Sequence, residues 1–526
     1  MSDNSYSAYY MTQGLHRSLQ QCPQQIAATC AGRKLTYVEL VESISRLANG
    51  FQSIGMAEGD RIAIMSLNSI EYVQTIFATW WGGGVINPVN IRWSATEVAY
   101  SLDDSESTIL LVDDTFAPMV AELKTKKSII KTVVYIGDGE LPDGMIAFSD
   151  LVGSPPISDV MRRGDQLAAI MYTGGTTGFP KGVMLSHGNL FASAIGVVCE
   201  NLVERGGHFM VASPLFHIAA VGCVLAQSLV AGTFVIVPAF RPDWVAKAIE
   251  QEKVTHTLLV PTMIQMLADF SDLDKFDLSS MKAMSYGASP MPAAVLTRAM
   301  EKFPKSSFIQ AYGMTELSPV ISILPAYYHS TEGQAKNKLR SAGRAVATVE
   351  VKIVDADGSD LPNGEVGEIA ARGPGVMQGY WRREEETAKN MLPGGWFRTG
   401  DGAYIDEDGF IYVVDRMKDM IISGGENIFS AEVENALSQH PDIAANAVIG
   451  IPSDQWGESV HAVVIAKEGA QIVASEVIAF CKERIAGFKC PRSIEVVATL
   501  PLSGAGKILK TELRKPYWDG LDKSVS

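Results

Sequence analysis

Hydrophobic and polar positions follow two alternating patterns along most of the chain. Short runs of β-branched and aliphatic residues, such as Arg61–Leu67 and Thr108–Asp113, predict strands. Longer stretches with apolar residues at helical spacing, such as Tyr37–Ile54, predict helices. Strands that alternate with helices are typical of α/β architecture with largely parallel sheets, which we predict here. The same patterns predict strands at Lys131–Ile136, Phe234–Ala239, Val254–Val260 and Ser307–Ala311, and a helix at Asp243–Gln251.

The pattern changes near Ser341, where glycines begin to separate short strands such as Val349–Val354 and Gly367–Ala371. This predicts a small antiparallel, β-barrel-like subdomain over about 341–415. We therefore predict an N-terminal domain, residues 1–415, of two α/β subdomains plus this β-rich one. A small α+β C-terminal domain, residues 416–526, is expected to follow. Its predicted elements are strands at Ala444–Ile451, His461–Ala466 and Ile494–Ala498, and a helix at Ala474–Ala486.

Length and charge narrow the classes of function. The 526 residues are too many for one hydrophobic core. A formal net charge of −15 argues against binding to nucleic acid. The six cysteines lack C-x-x-C spacing and Met1–Tyr10 lacks the pattern of a signal peptide, which together predict reduced thiols and a cytoplasmic protein. The most apolar stretch, residues 209–240, is interrupted by polar residues and predicts buried strand and helix. Peripheral membrane contact and a homodimer stay open.

A loop rich in glycine and threonine, Tyr172–Gly182, follows the apolar strand Leu167–Met171. Glycines let backbone N–H groups approach an anion, threonine hydroxyls add donors and can hold Mg²⁺, and Lys181 supplies a cation. Phe179-Pro180 separates the last loop glycine from Lys181, so this is not the Walker pattern. Alone, it could instead be a surface loop rich in glycine and threonine. The candidate phosphate ligands are Thr173, Gly174, Gly175, Thr176, Thr177, Gly178 and Lys181.

Two further segments carry candidate nucleotide ligands. Gln310–Glu316 ends an apolar strand, where open α/β sheets bind ligands: Tyr312 could stack on a purine, Thr315 could bond a phosphate and Glu316 could hold Mg²⁺. In the segment Gly395–Asp401, Asp401 could accept both ribose hydroxyls. Each segment alone could instead be a turn with an exposed acidic residue.

Two more segments, Asp415–Ile428 and Pro501–Lys507, are unremarkable alone: a charged turn before a glycine turn, and a lysine after a flexible loop. Together with the preceding motifs, their order and spacing resemble the acyl-adenylate-forming superfamily over essentially the whole chain. That superfamily includes acyl-CoA synthetases, luciferase-like enzymes and peptide-synthetase adenylation domains. The chain is most similar to the branch of fatty-acyl-CoA and 4-coumarate-CoA ligases.

The resemblance implies an ATP-dependent acyl-CoA synthetase, in which acid and ATP give acyl-AMP and pyrophosphate, and acyl-AMP and CoA give acyl-CoA and AMP. It implies Mg²⁺ at Glu316 and Thr176, ribose at Asp401 and Arg416, and the substrate carboxylate and α-phosphate at Lys507. The phosphate loop departs from the family in one place, because Gly174-Gly175 stands where Ser-Gly is usual and one hydroxyl donor is lost. The residues implied around adenine are Gly287, Ala288, Ser289, Gln310, Ala311, Tyr312, Gly313, Met314 and Thr315.

The resemblance also implies that the C-terminal domain is mobile. Rotation at the hinge position Lys418 would carry Lys507 away from the site between the two half-reactions. The same rotation would bring the CoA-binding segment to the thiol tunnel. The CoA-binding residues implied are Ser423, Gly424, Gly425 and Glu426.

The acyl site is implied at Pro214–Ile218, which resembles the family's gate. His217 is expected near the acyl carboxylate and thiol, although a histidine in an apolar run is otherwise more often a core residue. The expected wall carries no charge, and Ala311 adds a methyl group where aryl-CoA ligases often have glycine. We therefore expect a medium- or long-chain fatty acid, with an aryl acid as the alternative. The wall residues are Phe216, His217, Ala219, Val221, Met263, Ala288 and Ala311.

Three other functions share these motifs. Amino-acid adenylation for a carrier protein would need an acidic residue for the ammonium group near the gate, and we see none. Luciferase-like oxygenation shares the first chemical step, so motifs alone leave it open. A nucleotide-binding protein without activity would be expected to have lost the chemical residues. All of them are present in the sequence: Thr176, Glu316, Asp401, Arg416 and Lys507.

Overall fold

A computed structural model describes residues 9–126, 128–173, 180–416, 419–502 and 508–518, with the side chain of Asn427 excepted. The described α-helices are α1 Gln13–Gln21, α2 Tyr37–Ser53, α3 Ile70–Trp81, α4 Ala95–Asp104, α5 Met119–Thr125, α6 Phe148–Val152, α7 His187–Cys199, α8 Ile218–Leu229, α9 Pro242–Glu252, α10 Pro261–Ala268, α11 Ala293–Lys302, α12 Thr331–Gln334, α13 Glu384–Lys389, α14 Ser430–Leu437, α15 Ala474–Lys482 and α16 Lys510–Trp518. The described strands are β1 Ile26–Cys30, β2 Arg33–Thr36, β3 Arg61–Met65, β4 Val85–Pro88, β5 Ile109–Asp113, β6 Thr132–Ile136, β7 Ile146–Ala147, β8 Leu167–Thr173, β9 Lys181–Ser186, β10 His208–Val211, β11 Thr233–Ile236, β12 His256–Leu259, β13 Ala283–Gly287, β14 Ser307–Gly313, β15 Val320–Leu324, β16 Arg344–Ala345, β17 Glu350–Val354, β18 Gly367–Arg372, β19 Gly379–Tyr380, β20 Met391–Leu392, β21 Trp396–Ile405, β22 Ile411–Arg416, β23 Ile421–Ser423, β24 Glu426–Ile428, β25 Ile443–Ser453, β26 Gly457–Ala466 and β27 Ser493–Val496.

Two large sheets form the first part of the chain. The eight-stranded sheet has the order β19-β9-β8-β4-β3-β5-β6-β7, and the nine-stranded sheet has the order β16-β15-β14-β13-β12-β10-β11-β1-β2. Neighbouring strands from β8 to β7 in the first sheet, and from β14 to β1 in the second, are parallel. Antiparallel strands lie at both edges of the nine-stranded sheet and at the β19 edge of the eight-stranded sheet. The predicted α/β class with largely parallel sheets is therefore confirmed.

Two smaller sheets follow. The first has five antiparallel strands in the order β17-β18-β21-β20, with β22 also paired to β21. The second, in the small C-terminal domain, has the order β24-β23-β26-β25, with β27 parallel to β26. The stretch after residue 341 does not form one sheet, since β16 joins the nine-stranded sheet and β19 pairs with β9.

Helix ends and apolar faces explain the local structure. Helix α2 begins where Thr36 caps it, accepting from the N–H of Glu39 while the Glu39 side chain accepts from Thr36. Leu40, Ile44 and Leu47 lie on one face of α2 and are fully buried in the main core. The stretch 209–240 forms β10, α8 and β11, as the sequence predicts. Among the helices described, none combines the length and the hydropathy needed to cross a membrane.

Candidate active site

Side chains from β14, β21 and β22 meet at one carboxylate. The Tyr312 hydroxyl donates to Oδ2 of Asp401 at 2.6 Å, and Nε of Arg416 lies 2.8 Å from Oδ1 of Asp401. Asp401 and Arg416 are register partners on β21 and β22, and the Asp401 side chain is only 7% exposed. Burial and the charge of Asp401 raise the pKa of Tyr312, so its hydroxyl remains a donor. Each carboxylate oxygen keeps a further lone pair that can accept from a ligand hydroxyl.

The backbone beside Tyr312 is too closely packed for a side chain at two glycines. Gly287 on β13 pairs with Ala311 on β14, and a Cβ on Gly287 would lie 2.1 Å from the carbonyl oxygen of Ala311. A Cβ on Gly313 would lie 1.8 Å from the carbonyl oxygen of Pro319. Gly287 is the last residue of β13 and Gly313 is the last residue of β14, and these two strands are adjacent and parallel. The two segments expected around adenine, 287–289 and 310–315, therefore lie at the same ends of neighbouring strands.

Glu316 lies in a 3₁₀ turn, Thr315–Leu317, directly after β14. It is 6% exposed, and the Tyr380 hydroxyl donates to its Oε1 at 3.0 Å. Burial raises the pKa of Glu316, while the Tyr380 hydrogen bond and the charge of Arg416 oppose the rise. Carboxylate oxygen is a preferred ligand of Mg²⁺, so Glu316 fits the expected metal. In the described part of the chain, no three His, Cys, Asp or Glu side chains are grouped to hold a metal.

The hairpin of β8 and β9 frames the expected phosphate loop, with Thr173 and Lys181 as register partners at its base. Nζ of Lys181 contacts Oε1 of Glu386 on α13 and lies 5.6 Å from the centre of the Tyr380 ring. A phosphate that binds Lys181 must therefore compete with a carboxylate of this chain. The loop residues Gly174, Gly175, Thr176, Thr177 and Gly178 lie outside the described residues.

The expected acyl gate joins β10 to α8. The ring centres of Phe216 and His217 are 4.2 Å apart, and His217 precedes the first residue of α8. Asn68, which follows β3, holds this loop: its Nδ2 donates to the carbonyl oxygen of Ser213 at 3.0 Å, and its Oδ1 accepts from the N–H of Leu215 at 2.9 Å. Ala219 is half-buried and Ala288 is exposed, whereas the other apolar residues of the expected wall are buried: Phe216, Val221, Met263 and Ala311.

The expected CoA segment, Ser423–Glu426, forms the turn between β23 and β24. Its two glycines have φ of +65° and +83°, a conformation that favours glycine. A Cβ on Gly424 would lie 2.8 Å from the ring of Trp456. Arg492 donates to Oγ of Ser423 at 2.9 Å and stacks 4.6 Å from the Trp456 ring centre. The turn thus lies beside a partly exposed aromatic ring and a cation.

Sequence reasoning missed several residues that contact the expected site. Their partners are distant in the chain, as with Tyr380 and Glu316, 64 residues apart. The one local signal is an aromatic residue beside a glycine, as in Gly379–Tyr380 and Trp456–Gly457. The expected hinge residue Lys418 and the expected catalytic Lys507 lie outside the described residues. The missed residues are Asn68, Tyr380, Glu386, Trp456 and Arg492.

Comparison with known families adds a second line of evidence. Residues 15–381 match the family "AMP-binding enzyme", and residues 432–507 match "AMP-binding enzyme C-terminal domain". These two family matches, in this order along the chain, place it in the class of two-domain adenylate-forming enzymes. The chain belongs to the AMP-binding enzyme family, and it is an acid–thiol ligase of the acyl-CoA synthetase type.

Relatives and solved structures agree over nearly the full length. The chain is 39% identical over 502 residues to a feruloyl-CoA synthase from Amycolatopsis sp, covering 95% of this chain and 98% of that protein. It is 34% identical over 512 residues to the fatty acid–[acyl-carrier-protein] ligase ScoC from Streptomyces coeruleorubidus, covering 96% of each. The crystal structure of ATP-bound MatB from Rhodopseudomonas palustris matches with a TM-score of 0.86 and 30% identity, covering 98% of this chain and 100% of MatB.

Replacement of Asp401 with asparagine is expected to raise the KM for ATP about 10- to 100-fold, because a hydrogen bond to a charged group contributes about 1.5–3 kcal/mol. The amide keeps one acceptor oxygen but loses the charge that Arg416 pairs with. Initial rates at varied ATP measure this effect. Asp357→Asn, in an exposed turn after β17, is the matched control. An unchanged KM for Asp401→Asn would show that this carboxylate does not hold the nucleotide.

Proposed function

We propose that this enzyme joins an aryl carboxylic acid of the hydroxycinnamate type to CoA through an acyl-AMP intermediate bound at the Tyr312–Asp401–Arg416 site. The observation that carries the nucleotide assignment is the double engagement of the Asp401 carboxylate by Tyr312 and Arg416. These contacts hold the carboxylate in one orientation at the ends of the parallel strands, where α/β sheets bind ligands.

The first half-reaction brings a carboxylate to a polyphosphate, so negative charges must be neutralised. Asp401 and Arg416 hold the ribose, and Lys181 exchanges Glu386 for a phosphate oxygen. Lys507 approaches both the substrate carboxylate and the α-phosphate. Positioning and electrostatic stabilisation supply the rate, and no nucleophile from the protein is needed.

Mg²⁺ is expected to bind at Glu316, with Thr176 and phosphate oxygens as further ligands. The buried carboxylate and its raised pKa fit a cation, because a nearby positive charge stabilises the ionised form that burial disfavours. When bound, the ion supplies positive charge for the departing pyrophosphate. The Tyr380 hydroxyl, which donates to Oε1, orients the Glu316 carboxylate that would hold the ion.

The second half-reaction transfers the acyl group to the thiol of CoA. We assign the turn Ser423–Glu426 to this step, after rotation of the C-terminal domain at Lys418. At Gly425 a Cβ would have no neighbour within 4 Å, so pantetheine can lie close to the backbone there. The adjoining Trp456 ring and Arg492 guanidinium suit the nucleotide end of CoA.

One observation favours an aryl acid over the fatty acid expected from Ala311. The relative at 39% identity is named for a feruloyl substrate, whereas the fatty-acid ligase is 34% identical. Phe216, Val221 and Met263 are buried and apolar, which suits the uncharged part of either acid. The Ala311 methyl group still favours a straight chain, so a fatty acid is the second candidate.

A panel of acids tests the substrate class. Pyrophosphate release is measured with ATP, Mg²⁺ and CoA for ferulate, 4-coumarate, 3-phenylpropanoate and nonanoate, the last two having equal carbon numbers. We expect kcat/KM for ferulate to exceed that for nonanoate at least about tenfold. Ala311→Gly should increase the preference for the ring. A higher value for nonanoate would overturn the aryl assignment and leave the ligase assignment standing, while no release with any acid would overturn both.

A further inference from the structure

A cluster of charges joins the chain that follows Lys507 to the segment before the expected hinge. Nζ of Lys510, the first residue of α16, lies 2.7 Å from Oε1 of Glu434 on α14, and it donates to Oγ of Ser430 at 2.5 Å. Ser430 in turn donates to Oδ2 of Asp415 at 2.5 Å. The side chains of Lys510 and Glu434 are only 15% and 19% exposed. Lys510 is therefore linked to a carboxylate on each of two elements, α14 and β22.

A second ion pair lies one turn further along α16. Nη1 of Arg514 is 2.6 Å from Oδ1 of Asp419, and the two side chains are 10% and 14% exposed. Asp415 and Asp419 stand on either side of residue 418. Two of the three cations of α16, Lys510 and Arg514, are thus linked to the chain that flanks the expected hinge.

The charge of Lys510 is maintained by its surroundings. Burial acts to lower the pKa of Lys510, but the carboxylates of Glu434 and Asp415 outweigh it, so the pKa is raised. Burial likewise raises the pKa of Glu434, and Lys510 opposes that rise. Removing the lysine would leave a buried carboxylate without its main partner, a costly arrangement.

The loop that carries Lys507 is closed at its base just before Lys510. Leu502 and Ile508 form an antiparallel bridge, and the N–H of Leu509 donates to the carbonyl oxygen of Pro501 at 2.8 Å. These two contacts hold residues 508 and 509 against residues 501 and 502, and Lys510 follows directly. Residues 503–507 lie outside the described part.

We infer that Lys510 is a positioning residue for the first half-reaction: its contacts with Glu434, Ser430 and Asp415 fix the base of the loop that places Lys507. The inference rests on the proposed function, in which Lys507 neutralises charge only during adenylation. A small displacement of a charge-stabilising group reduces a rate strongly. Loss of the Lys510 charge should therefore impair adenylation and spare transfer to CoA.

The test compares the two half-reactions on the same preparation. Acid-dependent exchange of pyrophosphate into ATP reports adenylation, and acyl-CoA formation from supplied acyl-AMP reports transfer. The ratio of these rates does not depend on the fraction of folded protein. Lys510→Met is expected to lower the ratio about 10- to 100-fold, Glu434→Gln should lower it in the same direction, and Lys510→Arg, which keeps the charge, should recover most of it. Lys515→Met, on the exposed face of α16, is the matched control.

An unchanged ratio in Lys510→Met, or an equal loss in Lys510→Arg, would overturn the inference. Lys507→Ala, measured in parallel, separates this failure from failure of the proposed function. If Lys507→Ala loses adenylation while Lys510→Met keeps it, only the positioning role is wrong. If Lys507→Ala keeps adenylation, the assignment of Lys507 itself is wrong.

Discussion

Lys507→Ala is expected to slow acyl-adenylate formation about 10²- to 10³-fold, the usual effect of removing one group that stabilises developing charge. The reason is that a carboxylate attacks a phosphate that is already negative, and no other side chain is assigned to both groups. The same variant should convert supplied acyl-AMP and CoA into acyl-CoA at close to the normal rate. Pyrophosphate exchange and thioester formation, measured separately, check the two halves of this expectation.

Lys515→Ala provides the control, since this lysine is an exposed residue of the same C-terminal segment. It should leave both half-reactions unchanged. If Lys507→Ala slows both half-reactions to the same degree, the alternation of the C-terminal domain between two poses is contradicted. A loss confined to transfer would reverse the assignment of Lys507.

Glu316→Gln is expected to slow adenylation about 10²- to 10³-fold and to abolish the normal dependence on Mg²⁺ concentration. The amide retains an oxygen that accepts from Tyr380 but has no charge for the cation. The free energy of unfolding of the variant, unlike its activity, should stay the same or increase. Burial raises the folded pKa of Glu316 above its unfolded value, so this group favours folding below the unfolded pKa and loses that contribution as the pH rises through the folded pKa.

At neutral pH the variant should therefore unfold at the same temperature as the natural enzyme or a higher one, while its activity falls. Thermal unfolding without nucleotide and rates across a Mg²⁺ series measure the two effects. Glu301→Gln, exposed on α11, is the control for the substitution. A variant with lower stability and an unchanged Mg²⁺ profile would show that Glu316 has a structural role instead.

The fold class could be predicted because strands and helices of an α/β fold alternate along the chain, and each has its own spacing of apolar residues. The expected helix Tyr37–Ile54 is α2, Tyr37–Ser53, and the expected strand Ser307–Ala311 is the core of β14. Strand ends were less accurate, as at Val254–Val260, where only His256–Leu259 pairs. Strand ends depend on neighbouring strands, and the identity of those neighbours is not encoded in the local pattern.

The sequence predicted the candidate residues of the site one by one, but it did not predict which side chains contact one another. The alternative of Asp401 as a turn residue is wrong: it lies inside β21, a strand of ten residues, directly after Gly400 with φ of +75°. Its partner Tyr312 is 89 residues away. Glu386, which contacts Lys181, belongs to a run of three glutamates in the first turn of α13. From the sequence alone, such a run predicts only an exposed helix N-terminus. Contacts of this kind require the tertiary structure.

The corner at Asp401 is shared between two sheets, with Tyr312 from the nine-stranded sheet and Asp401 and Arg416 from the five-stranded one. A nucleotide held by Tyr312, Asp401 and Arg416 together, as proposed, would require the two sheets to be docked. By thermodynamic linkage, its binding free energy therefore adds to the cohesion between them, by about 2.7 kcal/mol at a ligand concentration of 100 times Kd. If ATP binds at this corner as proposed, the substrate would also hold the two sheets together.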